Sequence, residues 1–402
     1  MKLKCFARLA LCALLSFIII APTCPAFADE DTSITESEKT RLAGDLISAA
    51  MDLVLERYKY ADELTPEYLY ENALRGVMAG LDEYSAYLSP NEIYELERGF
   101  SGQLYGVGIT LIQANGETRI GVVVNDSPAE REGLRPGDLV YSVNGADVND
   151  MDVQDILSLI AQTNTVIITL ERDGAQTDIS LQKAQIKFQT VFARKFDELI
   201  DTASNKGNRD CGYMYISEFG DETPEEFARA ISSFLSGGIK HVVIDLRKNP
   251  GGYADSVIDV CNQILPEGPI MHTVDRKGGY VTYKSTLKEK VFEKIVVLTD
   301  RYTASAAEVL ASALQDADAA IIVGERTFGK GVIQSLYPLP VGGALKFTTE
   351  EYLRRSGEKI DEIGVTPNVI MDCDTDIYIP AQPAFSTDDK FLQKAYELLL
   401  SR

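Results

Sequence analysis

Histidine is almost missing from this chain of 402 residues. There are two, His241 and His272, and both lie in apolar or strand-like runs away from any serine in similar surroundings. A serine nucleophile needs a base to take its proton, so if this chain uses one, the base is a lysine. Cysteine is sparse as well. Cys5, Cys12 and Cys24 fall within the first 28 residues, which leaves Cys211, Cys261 and Cys373 for the rest. An odd, scattered set is no disulfide framework, so stability must come from apolar cores, for which the chain is long enough to build two or three domains. Basic residues are also short, 39 against 61 acidic, for a net charge of −22. That balance argues against nucleic acid and anionic lipid as partners. There is no low-complexity tract, no internal repeat and no long apolar run, since Leu9–Ala21 falls short of the ~20 residues of a membrane span.

That short run has a meaning of its own. Lys2, Lys4 and Arg8 precede it, and Ala26-Phe27-Ala28 follows as a small-x-small cleavage site. The pattern is that of a secretory signal peptide over residues 1–28, or of an anchor if it is not removed. The expected location is therefore the periplasm, the cell envelope or the extracellular space, with no stable membrane span once the segment is cleaved.

The remainder divides by pattern. Residues 29–101 read as helical: Leu42, Leu46, Ile47, Met51, Leu53, Val54 and Tyr58 form one apolar stripe, and Leu69, Ala73, Val77, Met78 and Leu81 a second. Such stripes suit a packed cap or a dimer arm. Residues 102–185 read as a small β-rich module, with strands at Arg119–Asn125, Asp138–Val143 and Val166–Arg172, a turn at Asn144-Gly145 and a helix at Val153–Ala161. Residues 186–402 open with a charged stretch. Strands at Cys211–Ile216, His241–Leu246, Ile295–Thr299 and Ala319–Val323 then alternate with helices, which indicates an α/β domain with a mainly parallel sheet. The fold class expected is multidomain: helical segment, β-rich module, α/β core.

The chemistry concentrates in Lys294–Gln334. The β-branched run Lys294–Thr299 passes into the helical composition of Ala304–Gln315, and Ser305 falls at the junction. Unpaired N–H groups of a first helical turn favour developing negative charge there. Lys330 lies between Gly329 and Gly331, beside Phe328; burial would lower its pKa and make it a usable base. Alone, Ser305 reads as a helix cap and Lys330 as a solvated loop lysine. Gly324–Lys330 also comes close to a phosphate-binding loop, but Gly331 stands where Ser or Thr is needed, and Val332–Pro340 is unsuited to the helix that motif requires.

Two resemblances bring these readings together. Asp126-Ser127-Pro128-Ala129, Gly133–Asp138 and Asn144-Gly145 resemble a PDZ domain. By that resemblance, Tyr105, Gly106, Val107 and Gly108 occupy the loop that offers amides to a peptide's terminal carboxylate. Leu81–Ser85, Asp245–Gly252, Thr303–Glu308, Gly324–Gly331 with Gln334, and Gly364–Pro367 are together similar to the carboxyl-terminal processing peptidases, a family of serine proteases. That likeness implies Ser305 as nucleophile, Lys330 as base and Gln334 as the group that orients it. Backbone N–H groups of Ala306 and of Gly251, with Gly252 left open, would form the oxyanion hole. Arg172 would relay peptide binding from the PDZ module to the protease. Substrates or activators would be polypeptides recognised by their C-termini, the chain would form a homodimer, and no metal or cofactor is implied. Two other readings remain beside this one, a PDZ scaffold with a vestigial catalytic domain and a hydrolase of some other amide.

Overall fold

The computed structural model describes residues 35–100, 103–114, 117–149, 151–172, 174–187, 189–196, 210–372 and 389–401. The signal-peptide reading of residues 1–28 and Cys373 lie outside them. The chain falls into two compact units divided after Ala73.

In the first unit, helix Glu36–Arg57 begins at a capping box, with the Thr35 N–H donating to Glu38 at 2.9 Å and the Glu38 N–H to the Thr35 hydroxyl at 3.3 Å. None of its residues is buried, and Leu42, Leu46, Ile47, Leu53 and Val54 form an exposed apolar face.

The second unit contains the β-rich module. Its sheet runs Ile109–Ala114, Glu117–Val123, Leu139–Val143, Thr165–Arg172, Ala175–Gln182, all antiparallel. Along Thr165–Arg172 the inward residues Val166, Ile168 and Leu170 are buried, the period of two that a one-sided sheet requires. They meet Ile156 and Ile160 of helix Val153–Ala161, whose cap is Asp152. Ile109–Ala114 ends the sheet order with one ladder made, and the helix packs near it.

The α/β layer is a sheet in the order Val191–Lys195, Cys211–Ile216, His241–Asp245, Lys294–Thr299, Ile321–Gly324, Val369–Ile370. The first pair is antiparallel and the others parallel. Its central strands are buried on both faces. Met214, Ile216, Val242, Ile244 and Val297 face helices Thr223–Ser236, Ala254–Ile264 and Ala306–Asp316. Tyr213, Tyr215, Val243, Val296 and Leu298 face the C-terminal helix Lys390–Leu400. The expected mixed, mainly parallel architecture is therefore present. Helix Ala306–Asp316 starts two residues later than its composition suggests, because Ser305 adopts a positive φ that no helix accommodates.

A second antiparallel sheet has no counterpart in the sequence reading. Val332–Pro338, Gly268–Asp275 and the short strand Ala86–Leu88 all pair with Ala344–Leu353, and Tyr280–Ser285 pairs with Gly268–Asp275. Much of it is half-buried without clean alternation, so its local pattern carries little strand signal.

Next to the parallel sheet, buried Arg247 joins two carboxylates. Its guanidinium donates to Asp245 at 2.6 Å and to Asp389 at 2.8 Å, and Tyr213 donates its hydroxyl to Asp245 at 2.8 Å. Asp389 also caps helix Lys390–Leu400. Asp389→Ala should therefore lower stability by about 2–3 kcal/mol, read as a fall in the urea midpoint. An unchanged midpoint would mean that Asp245 alone compensates the buried guanidinium.

Candidate active site

Strand Lys294–Thr299 delivers the chain to a tight loop. The carboxylate of Asp300 accepts from the Lys248 N–H at 3.1 Å, the Tyr302 N–H at 3.0 Å and the Thr303 hydroxyl at 3.1 Å, and that hydroxyl lies 2.9 Å from the Leu246 carbonyl. The Ala304 N–H donates to the Asn249 carbonyl at 3.0 Å. So restrained, Ser305 takes φ 54° and ψ −120°, a conformation costly for any residue with a side chain.

A carboxylate that the sequence reading left without a role keeps Ser305 there. Glu308, fully buried, accepts from the Ser305 N–H at 2.8 Å, the Gly329 N–H at 2.7 Å, the Lys330 N–H at 2.9 Å and the Thr327 hydroxyl. Burial raises its pKa against the pull of these four donors. The available signal was the spacing Ser-x-x-Glu at a helix start, a capping box.

Lys330 follows strand Ile321–Gly324 on a loop that continues into strand Val332–Pro338, not into a helix. It is half-buried. Its pKa is lowered by burial first and then by the charge of Lys346, with Glu308 acting the other way. Its Nζ lies 4.8 Å from the centroid of the Tyr84 ring and, among the described residues, donates no hydrogen bond to Ser305 or Gln334. Gln334 sits at a bulge in Val332–Pro338, and its amide nitrogen donates to the Thr348 hydroxyl at 3.3 Å. Tyr352 donates its hydroxyl to the Lys330 carbonyl. Burial raises this phenol's pKa well above its usual value, the Glu308 charge adds to that, and the nearby Ser305 side chain opposes it.

Ser305, Lys330 and Gln334 line one cavity of about 450 Å³, together with Gly251, Ala306, Lys346 and Tyr352. Gly251 has φ 105°, and a Cβ on it would stand 2.7 Å from the Ser305 Cβ and 3.0 Å from the Ala306 nitrogen. A Cβ on Gly252 would instead meet the Phe219 carbonyl at 2.2 Å. Of the two glycines, then, Gly251 is the one against Ser305, although Gly252 also lines the cavity. The Gly251 N–H donates to the Asn249 side chain at 2.8 Å, and that buried side chain donates in turn to the Ile216 carbonyl at 2.9 Å. Neither histidine lines the cavity.

The remaining candidates sit in the β-rich module and do not line this cavity. Tyr105 and Gly106 end a strand laddered to Ala184–Lys187. Val107 is buried, and its carbonyl accepts from the Ala129 N–H at 2.9 Å. Gly108 has φ 86°, and a Cβ there would strike Ser127 at 2.2 Å, so only glycine fits where the chain enters edge strand Ile109–Ala114. Arg172 forks onto Asp138 at 2.7 and 2.6 Å and reaches the Gly133 carbonyl at 2.9 Å, contacts internal to the module.

Glu308→Ala would strand three amides and a hydroxyl in a dry site. We expect a loss of about 3–5 kcal/mol, measured by denaturant unfolding, with Glu308→Gln intermediate. A loss under about 1 kcal/mol in the alanine variant would show that water replaces the carboxylate.

Residues 210–371 match the model of peptidase family S41, and residues 119–172 that of the PDZ domain. The carboxy-terminal processing protease CtpB of Bacillus subtilis is 30% identical over 344 residues, 84% of this chain and 69% of that protein. The carboxyl-terminal-processing protease of Synechocystis sp. is 31% identical over 328 residues, 80% of this chain and 75% of that one. The solved structure of an S41 protease from Bacteroides fragilis, 18% identical, aligns with a TM-score of 0.52 over 87% of this chain and 96% of its own, a likeness of fold. Among the described residues no helix is long and apolar enough to cross a membrane. Identity of this order across more than two thirds of each relative places the chain in the carboxy-terminal processing protease family, as a serine-type peptidase of family S41 with a PDZ domain.

Proposed function

We propose that this protease is exported and cuts polypeptides by a serine–lysine mechanism, with its PDZ module capturing the C-termini of substrates or activating peptides. The observation that carries the reading is one cavity in which a serine on a strained helix start shares space with a half-buried lysine whose pKa is lowered. Lys330, neutral, takes the Ser305 proton as the oxygen attacks the scissile carbonyl. Ala306, at the unpaired first turn, and Gly251 donate to the oxyanion; such donors are worth about 3–4 kcal/mol each. The lysine ammonium then protonates the leaving amine, and water repeats the sequence on the acyl-enzyme with the same base. Gln334 would accept from the lysine amine and aim it. In the PDZ module, Tyr105 to Gly108 would hold a carboxylate while the peptide pairs along the open edge of Ile109–Ala114. Arg172 would pass that event to the protease, and the exposed face of helix Glu36–Arg57 would pair two copies of the chain.

Cleavage of an unfolded protein should be seen with wild type and be lost in Ser305→Ala and Lys330→Ala, and an added C-terminal peptide should change the wild-type rate. A wild type that is inert with peptide present, and whose Ser305 escapes a serine-directed phosphonate, would leave a binding scaffold as the reading.

The lysine carries a second signature. Its folded pKa is depressed, so the unfolded chain binds the proton more readily, and holding Lys330 costs stability at neutral pH. Lys330→Met should therefore be inactive yet more stable at pH 7, with the gain shrinking as pH rises toward the ordinary lysine range. Thermal melts across pH read this directly; a gain independent of pH would assign it to packing.

A further inference from the structure

The mechanism above leaves Tyr84 without a part, yet its ring is what the Lys330 amine rests on. The nitrogen lies 4.8 Å from the ring centroid, inside the ~6 Å over which an aromatic face attracts a cation. The seat is fixed by its neighbours. The Tyr84 N–H donates to Asp82 at 2.9 Å, the Thr348 N–H donates to the Ser85 hydroxyl at 3.4 Å, and Ala86–Leu88 pairs with Ala344–Lys346. The Tyr84 phenol is pushed up to about 12, by burial first, then by the hydrogen bond and charge of Glu83 and the charges of Asp361 and Glu308, so the ring stays neutral.

The charges facing the amine come from two elements. Lys346, on strand Ala344–Leu353, disfavours the ammonium; Glu308, on helix Ala306–Asp316, favours it. Tyr352, from the same strand as Lys346, is a neutral phenol bound to the Lys330 carbonyl. A ring face attracts the ammonium and has little hold on the neutral amine. We propose that Tyr84 is a positioning residue for Lys330: the protonated amine sits on the Tyr84 ring, and loss of the proton frees it to turn toward Ser305. This rests on Lys330 being the base.

The test reads the amine directly. Reductive dimethylation of the full chain with ¹³C-formaldehyde keeps each lysine titratable, and Lys330→Arg identifies the resonance. Tyr84→Leu should lower the Lys330 titration midpoint, and with it the acid limb of kcat/KM, by about half a pH unit. Tyr84→Phe, which keeps the ring, should leave both in place. A Leu variant titrating as wild type overturns the proposal, as does a Phe variant shifted as far as Leu. Should Tyr84→Leu fail to fold, Tyr84→Trp takes its place: a stronger ring face raises the midpoint, and an unmoved midpoint overturns the proposal. If the midpoint moves as expected but no form of the protein cleaves a polypeptide, the seat stands and the endopeptidase reading falls.

Discussion

The Glu308 carboxylate is the constraint on which the cavity lined by Ser305 and Lys330 depends. Among the described residues it makes no ion pair, and four hydrogen-bond donors satisfy it. One donor is the amide of Ser305, whose positive φ needs outside restraint; two more are the consecutive amides of Gly329 and Lys330. A buried carboxylate cannot give up such donors without being left unsatisfied in a low dielectric. The separation of the serine and lysine backbones is thus set by main chain gathered on one group, and only the side chains beyond it keep their torsional freedom.

The same region concentrates unfavourable terms. Ser305 is strained, Lys330 is half desolvated with Lys346 near it, and Glu308 is a carboxylate raised by burial. None of these favours folding. They persist because the two-sided parallel sheet and its helices hold the flanking strands rigidly, and because Phe219 anchors the opposite wall, accepting from Tyr253 and donating to Gly251 at 2.8 Å each. Strain of this kind marks places where geometry is held against local preference.

What the sequence disclosed follows from this division. The buried strands and their helices are continuous apolar or 3.6-periodic runs, so each was readable alone, and the scarcity of histidine directed attention from Ser305 to a lysine. The second sheet was not readable, since Ala86–Leu88 pairs with Ala344–Lys346, which the β-rich module and most of the parallel sheet separate from it in sequence. Glu308 was visible as a helix-start residue, but three of its four donors, from Thr327, Gly329 and Lys330, arrive from the loop after Ile321–Gly324, which no local pattern connects to it. Asn249 and Tyr84 escaped for the same reason. Each stood within a quoted motif, while its role lies in a contact made across the fold.

On the proposed mechanism, two groups stand away from the posture that attack by Ser305 would require. The Gly251 N–H is committed to Asn249, and the Lys330 amine lies over Tyr84. Neither correction needs a change of fold. The peptide plane that carries the Gly251 N–H joins Pro250 to Gly251 and can tilt about the bonds on either side of it while the Gly251 carbonyl keeps its Phe219 ladder, and a lysine side chain turns about its own bonds. A substrate carbonyl acquiring negative charge is a better acceptor than the neutral Asn249 amide, because hydrogen bonds to ionised acceptors are roughly twice as strong. On that mechanism the exchange would be driven most strongly as the tetrahedral intermediate forms, when an interaction contributes to rate and not merely to binding. On the same mechanism, a frame fixed by Glu308 would carry one movable donor, the Gly251 N–H, and one movable base, the Lys330 amine, where charge develops.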